Sequence, residues 1–300
     1  LHLGFNHRAV PRDDGYSANG EDLSWFQQIT SGSVRLSAPV WGLDRSHSLS
    51  VGYSVTYARP RDEPAVALDP RGERPVTPTQ YFRAGLDFGY SFSDLTSSVF
   101  GISAESGRAI SASVGLYHPA LGGNQTLATF RYGWSEYLEA PWLDHHVFAL
   151  RLSGGVHVSD PPEQASFTVG GYAEQNVLDT ILNNTPAGTA SLRGYPARSF
   201  AGDQMHSLRL EYRFPLWWAE AGYQTLPVFF RRVHGVVFND NVLISTDPID
   251  REDWRASVGG ELVWQLVVGY YQYMTLRTGY ARGLMAGGSH EVIVLLGGGF

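Results

Sequence analysis

The sequence contains no cysteine and no lysine, and little charge of either sign. Without cysteine there is no disulfide framework and no thiolate site for zinc or an iron–sulfur cluster. Without lysine every basic side chain is arginine or histidine, which reads as the codon usage of a GC-rich genome rather than as chemistry. Charged residues make up 17% of the chain and the net charge is −7, so a nucleic-acid partner is not expected. Long apolar runs are missing too: none reaches the ~18 residues that a membrane-spanning helix requires. No leader segment opens the chain, because Leu1-His2-Leu3-Gly4-Phe5 already reads as strand. The expectation is therefore one domain, residues 1–300, cut from a longer exported precursor and lacking its upstream part. The signatures of common enzymes are also absent: no Gly-x-Ser-x-Gly elbow, P-loop, His-Glu-x-x-His or dinucleotide fingerprint. Neither catalysis nor a cofactor or metal is expected. Asp144-His145-His146 offers metal-type side chains, but neighbours on an extended chain point apart, so these read as a solvated turn.

What the chain does have is glycine (34), aromatics (8 Trp, 16 Tyr, 15 Phe) and a period of two. Its 43% hydrophobic content is too high for a disordered segment. Leu49, Val51, Tyr53, Val55 and Tyr57 alternate with Ser50, Gly52, Ser54, Thr56 and Ala58. Phe82 to Ser91, Ala128 to Ser135 and Ser207 to Phe214 alternate in the same way. Strand side chains point to opposite faces in turn, so each segment has one apolar and one polar face.

A soluble sandwich and a membrane barrel both produce that pattern, with the apolar face turned in or out. The barrel is the better fit. Segments of roughly 9–15 residues match a tilted strand crossing a bilayer. The polar faces carry small residues and isolated charges, as a wet interior would, and long polar loops alternate with shorter turns. The expected fold is an all-β transmembrane antiparallel barrel of about fourteen strands. They fall at 1–8, 33–42, 46–59, 80–93, 97–104, 108–118, 126–138, 146–159, 165–173, 204–216, 226–240, 253–266, 269–282 and 289–300. Loops 9–32, 60–79, 105–107, 139–145, 174–203, 241–252 and 283–288 then lie at one end. Turns 43–45, 94–96, 119–125, 160–164, 217–225 and 267–268 lie at the other.

The longest loop contains Leu192-Arg193-Gly194-Tyr195-Pro196, followed by Gly202 and the strand Leu208-Arg209-Leu210-Glu211-Tyr212-Arg213-Phe214-Pro215-Leu216. This resembles the BamA-type outer-membrane assembly-barrel superfamily, which includes BamA, TamA and the two-partner secretion transporters. Its signature is an aliphatic-Arg-Gly-aromatic tetrad at the tip of a loop that folds back into the barrel. Four further elements resemble it in order. Phe167-Thr168-Val169-Gly170-Gly171 precedes the loop, and Val237-Phe238-Asn239-Asp240 follows, with Val242 where a Gly is usual. Arg255 to Leu262 resembles the next strand, and Gly297-Gly298-Gly299-Phe300 ends on an aromatic, as the family's assembly signal does. The phrases Leu226 to Gly235 and Thr278 to Leu284 are similar to members with an upstream β-propeller in place of POTRA repeats. Motifs cover residues 165–300; residues 1–164 match by strand pattern alone.

The resemblance implies sixteen strands in the complete barrel. Strand alternation puts Glu211 and Glu261 on the lumen face, and Asp240 with them if Phe238 also faces inward. The resemblance implies that Arg193 crosses the lumen to Glu261 or Asp240, while Gly194 turns the backbone and Tyr195 packs on the wall. Alternation by itself leaves open a solvated Arg193 at the loop surface. Arg209, Arg213, Arg255 and Arg277 share the lumen face as a conduit, as support for the loop, or simply as solvated charge. Tyr270, Tyr271, Tyr273, Tyr280, Trp217, Trp218, Trp254 and Trp264 read as an interfacial girdle. Asp250, Glu252 and Asp253 read as a solubilising loop with a cation site as the alternative. The terminal segment has to pair with the first strand, and Gly297, Gly298 and Gly299 weaken that seam.

The implied function is insertion, assembly or translocation of polypeptide, or lipid, at the bacterial outer membrane. The alternatives are a non-catalytic anchor for an N-terminal propeller or enzyme, and a passive porin-like channel. Implied partners are the lipid bilayer and lipopolysaccharide, client β-barrels, and periplasmic or lipoprotein subunits.

Overall fold

The computed structural model describes residues 1–16, 22–42, 45–60, 80–98, 101, 103–160, 167–171, 190–196, 199–222, 224–246, 248–269 and 271–298. Strands in chain order are β1 (His2–Tyr16), β2 (Asp22–Trp41), β3 (Ser46–Pro60), β4 (Tyr81–Ser93), β5 (Thr96–Ser97), β6 (Ala104–Tyr117), β7 (Thr126–Glu139) and β8 (Val147–Asp160). They continue as β9 (Phe167–Gly170), β10 (Ala190–Ser191), β11 (Phe200–Gly202), β12 (Gln204–Gly222), β13 (Val228–Ser245), β14 (Trp254–Val268), β15 (Gln272–Gly283) and β16 (His290–Gly298). A thirteen-stranded antiparallel sheet runs β1-β2-β3-β4-β6-β7-β8-β12-β13-β14-β15-β16, with β5 paired on β6. This is the wall of a transmembrane β-barrel.

The alternation decides which way each face turns. Tyr53, Phe88 and Leu210 are exposed at 40%, 43% and 41%, and among the described residues no second protein layer covers them. Their neighbours in register point the other way, into the interior. On β13 the buried inward set is Val236, Phe238, Asp240, Val242 and Ile244, while Val237 stays exposed between them. An apolar face left open is stable only against lipid, so the exposed row is the bilayer surface. Trp217, Trp218, Tyr271 and Tyr273 lie exposed at one end of the wall, and Trp254 and Tyr280 toward the other. Trp264 is half-buried, with its Nε1 donating to Thr278 Oγ1 at 3.4 Å.

Two segments expected in the wall are elsewhere. Among the described residues of 97–104, Ser97 ends the short strand β5, which pairs with β6, Ala104 begins β6, and β4 pairs directly with β6. Segment 165–173 supplies β9, which leaves the wall to form a small sheet with β10 (parallel) and β11 (antiparallel). An apolar run such as Phe167-Thr168-Val169 satisfies a period of two in either sheet, so periodicity did not separate them. The two corrections cancel beyond the pair but exchange the connections between them. Connection 118–125 lies with 246–253 and 284–289 at the loop end, and 140–146 lies with 223–227 and 269–271 at the turn end. β1 and β2 are longer than expected, paired from His2↔Arg35 to Tyr16↔Asp22.

The wall is an open path among the described residues. Gly297 and Gly298 pair with Thr275 and Met274 on β15, and the expected ladder between the last and first strands is not formed. Backbone glycines at that edge offer no side chains to hold a partner. Gly299, Phe300, Tyr270 and most of loop 174–203 lie outside the described residues.

Candidate functional site: a lumenal arginine cluster

The segment around the Leu-Arg-Gly-Tyr motif lies inside the wall. Leu192 and Tyr195 join Phe167, Val169, Met205, Val242 and Ile244 in one buried apolar cluster, so both motif flanks insert between the small sheet and the inward faces of β12 and β13. Backbone bonds tie the segment down: Leu192 N–H donates to Gly170 O at 2.6 Å, and Gly171 N–H to Tyr195 O at 2.9 Å. The Tyr195 hydroxyl donates to Ala256 O at 3.0 Å and accepts from Met285 N–H at 3.1 Å.

With its neighbours fixed, Arg193 has one direction to go. It is fully buried, and its guanidinium meets three carboxylates from three strands. Nε and Nη2 make a two-pronged contact with Asp240 on β13 at 2.7 and 2.8 Å. Nη1 reaches Glu261 on β14 at 2.7 Å, and Nη2 reaches Glu211 on β12 at 3.3 Å. The Phe238 ring lies under the guanidinium, 3.3 Å from centroid to Cζ, adding a desolvated cation–π contact. A planar fork with five fixed donors fits two carboxylates at once; a lysine ammonium does not.

Each of the three carboxylates is also held by a wall arginine. Arg209 Nε donates to Asp240 Oδ1 at 3.0 Å, and its Nη2 to Ser191 Oγ at 2.8 Å. Arg213 Nε donates to Glu211 Oε2 at 2.9 Å, and Arg277 Nε to Glu261 Oε2 at 2.8 Å. Four guanidiniums thus face three carboxylates, each carboxylate shared between Arg193 and one wall arginine. Buried charge is costly unless paired and bonded in this way.

Gly194 is required for its backbone. It holds φ at 81°, and an added Cβ would sit 2.5 Å from Gly283 N and 2.7 Å from Arg282 C. Its N–H donates to Glu291 Oε2 on β16 at 2.6 Å, and its carbonyl accepts from Ser289 N–H at 2.8 Å. The turn therefore rests against the last hairpin while the side chain beside it spans β12 to β14.

Of the residues singled out from sequence, the structure brings together Leu192, Arg193, Gly194, Tyr195, Glu211, Asp240 and Glu261, with Arg209, Arg213 and Arg277 around them. Arg255 stays apart, its guanidinium 4.7 Å from the Phe200 ring and its Nη1 donating to backbone carbonyls of Glu252 and Trp254. Asp250 and Asp253 close a capping box on the 3-10 turn Arg251–Asp253, a local structural use. Glu291 and Phe238 were not foreseen as contacts of the motif. Glu291 is the one charge in its strand, which was the available signal.

Comparison with known proteins bears on this geometry. No curated protein sequence matches the chain. Among solved structures, CdiB from Escherichia coli superposes with a TM-score of 0.57 at 11% identity, over 97% of this chain and 48% of that one, so the chain spans about half of its length. At that identity the likeness speaks for the fold. The Omp85 superfamily domain matches residues 4–272, which take in the wall from β1 through β14, the Leu192–Tyr195 motif and the three carboxylates it meets, and the chain belongs to that superfamily.

Proposed function

We propose that this chain is the barrel of an outer-membrane machine that inserts or translocates polypeptide, and that segment 190–196 is a lumen plug pinned by Arg193. The observation that carries the reading is one fully buried guanidinium shared by carboxylates of β12, β13 and β14. A passive channel gains nothing from an obstruction fixed across its interior. A barrel that has to stay sealed at rest and open for a client does, and ion pairs are contacts that part and re-form without chemistry. Family membership supports transport or insertion at this coarse level. In this reading the loop end faces outward, the turn end faces the periplasm, the apolar belt meets lipid and lipopolysaccharide, and no bond-making step is involved.

Depletion of the protein in its host tests the role. The expected outcome is loss of specific proteins from the outer-membrane profile or the secreted fraction. An unchanged profile and secretome would replace transport by anchoring of an upstream domain. Complementation with Arg193→Ala tests the plug separately: expected are increased permeability to large antibiotics and faster proteolysis of the loop. Wild-type behaviour in both assays would remove the plug from the proposal.

A further inference from the structure

Outside the arginine cluster, metal-type side chains converge at the turn end of the wall. Glu105 near the start of β6, Glu139 at the end of β7 and His145 in connection 140–146 each bring one donor atom within 4.8 Å of the other two. His145 Nδ1 is 2.8 Å from Glu105 Oε1, and the Glu105 side chain is 9% exposed. Among the described residues, no arginine pairs with either glutamate: nearby Arg108 is engaged by Glu136 at 3.1 Å and Arg213 by Glu211 at 2.5 Å. Two carboxylates are therefore gathered around one imidazole with no guanidinium to offset them, unlike every carboxylate of the lumen cluster.

We propose that Glu105, Glu139 and His145 form a divalent-cation site for a zinc-class ion. A dication neutralises both carboxylates and takes the imidazole nitrogen as its third ligand. One nitrogen and two carboxylate oxygens suit Zn2+ better than Ca2+ or Mg2+, which favour larger all-oxygen shells. Bonds of about 2.0–2.2 Å to a tetrahedral ion place donors roughly 3.4 Å apart. The ion displaces the proton shared by His145 and Glu105 into solvent and opens that 2.8 Å pair to ligand spacing, the exposed Glu139 swings inward, and the fourth position is left to water. His146 takes no part, since its Nδ1 is bonded to the Tyr212 hydroxyl at 2.7 Å on the outer face. The ion ties the start of β6 and the end of β7, neighbours in the wall, to connection 140–146. Ser103, two residues before Glu105, accepts from Arg213 Nη1, so the site adjoins the support of the lumen cluster.

The test is titration of the folded 300-residue chain in detergent with Zn2+, alongside Ca2+. Expected is saturable binding of one Zn2+, weakened at least about tenfold in Glu105→Gln and in His145→Asn. Asparagine is chosen because residue 145 holds φ at 62°, a conformation asparagine tolerates. His118→Gln, in the connection at the opposite end, binds as the parent does. The proposal is overturned by a parent chain with no saturable binding, or by Glu105→Gln and His145→Asn that both retain parental affinity. Should either variant fail to fold, Glu139→Gln at an exposed position decides: weakened binding supports the site and parental binding removes it.

Discussion

Along β3, β4 and β6 the inward positions include Ser48, Ser50, Gly89, Ser91, Ser111 and Ser113, and they border a cavity of about 270 Å3. Along β12 to β15 the corresponding positions are Arg209, Glu211, Arg213, Asp240, Glu261 and Arg277, gathered around Arg193. The outward rows of the two regions do not differ in kind: Tyr53, Phe88 and Ile110 on one, Leu210, Val237 and Leu262 on the other, all exposed. The bilayer asks the same of both regions, and the interior does not. Where a segment of chain fills the lumen, water is excluded and polar groups have to find fixed partners. Where the lumen is open, serine hydroxyls border the cavity beside Arg131, and water can serve them.

Breaking the filled side should have the largest effect. Arg193→Ala leaves Asp240, Glu211 and Glu261 close together with their shared counter-charge gone, and removal of one partner from a buried cluster costs about 3–5 kcal/mol. A large drop in the urea midpoint of the folded barrel is expected, with Arg193→Lys recovering only part because it lacks the fork. Little dependence on salt is expected as well, since buried pairs are weakly screened. Gly194→Ala follows, at about 1–3 kcal/mol for a non-glycine residue forced to positive φ. Its Cβ also has no room beside Gly283 and Arg282, and the affected neighbours are backbone atoms that do not swing aside. Accelerated loop proteolysis at an unchanged wall strand content would report it.

How much of this the residues disclosed beforehand follows the same division. Glu211 lies between Leu210 and Tyr212, and Glu261 between Gly260 and Leu262, so alternation alone turned both carboxylates inward. The motif around Arg193 then supplied the other half of the pair. Alternation does not say that one guanidinium reaches three carboxylates, nor that Phe238 lies beneath it; both depend on how far the segment descends. In Glu291 to Leu296 both faces are apolar after the first residue, so period two carries little information there. The Glu105, Glu139 and His145 set was hidden for a different reason: its members come from separate segments, and the visible Asp144-His145-His146 triplet, expected as extended chain, is a turn with His145 at φ 62° that sends His145 to Glu105 and His146 to Tyr212.

Tyr195→Phe is a smaller perturbation on the filled side. It keeps the ring in its apolar cluster and removes the hydroxyl that bridges Ala256 O and Met285 N–H. About 1 kcal/mol is expected, rising somewhat because the two backbone groups lose a buried partner. A thermal melt of the variant with Arg193 intact would separate this from the ion cluster.

The smallest effect belongs to the open side. Ser111 faces the cavity, exposed, with its Oγ over Gly133, where an added Cβ would lie 2.9 Å from it. Ser111→Ala removes a hydroxyl that water serves, so stability should change by no more than about 0.5 kcal/mol. Ser257, fully buried opposite Asp240 in the β13–β14 ladder, is its counterpart on the filled side. Enlarging each serine to leucine sharpens the contrast. Ser257→Leu overpacks a site without free volume and should cost about 1–3 kcal/mol. Ser111→Leu extends into the cavity and should cost little. Equal urea midpoints for the two leucine variants would mean that the serine-lined region is as tightly filled as the arginine cluster, and the distinction between a plugged and an open side of the lumen would fall.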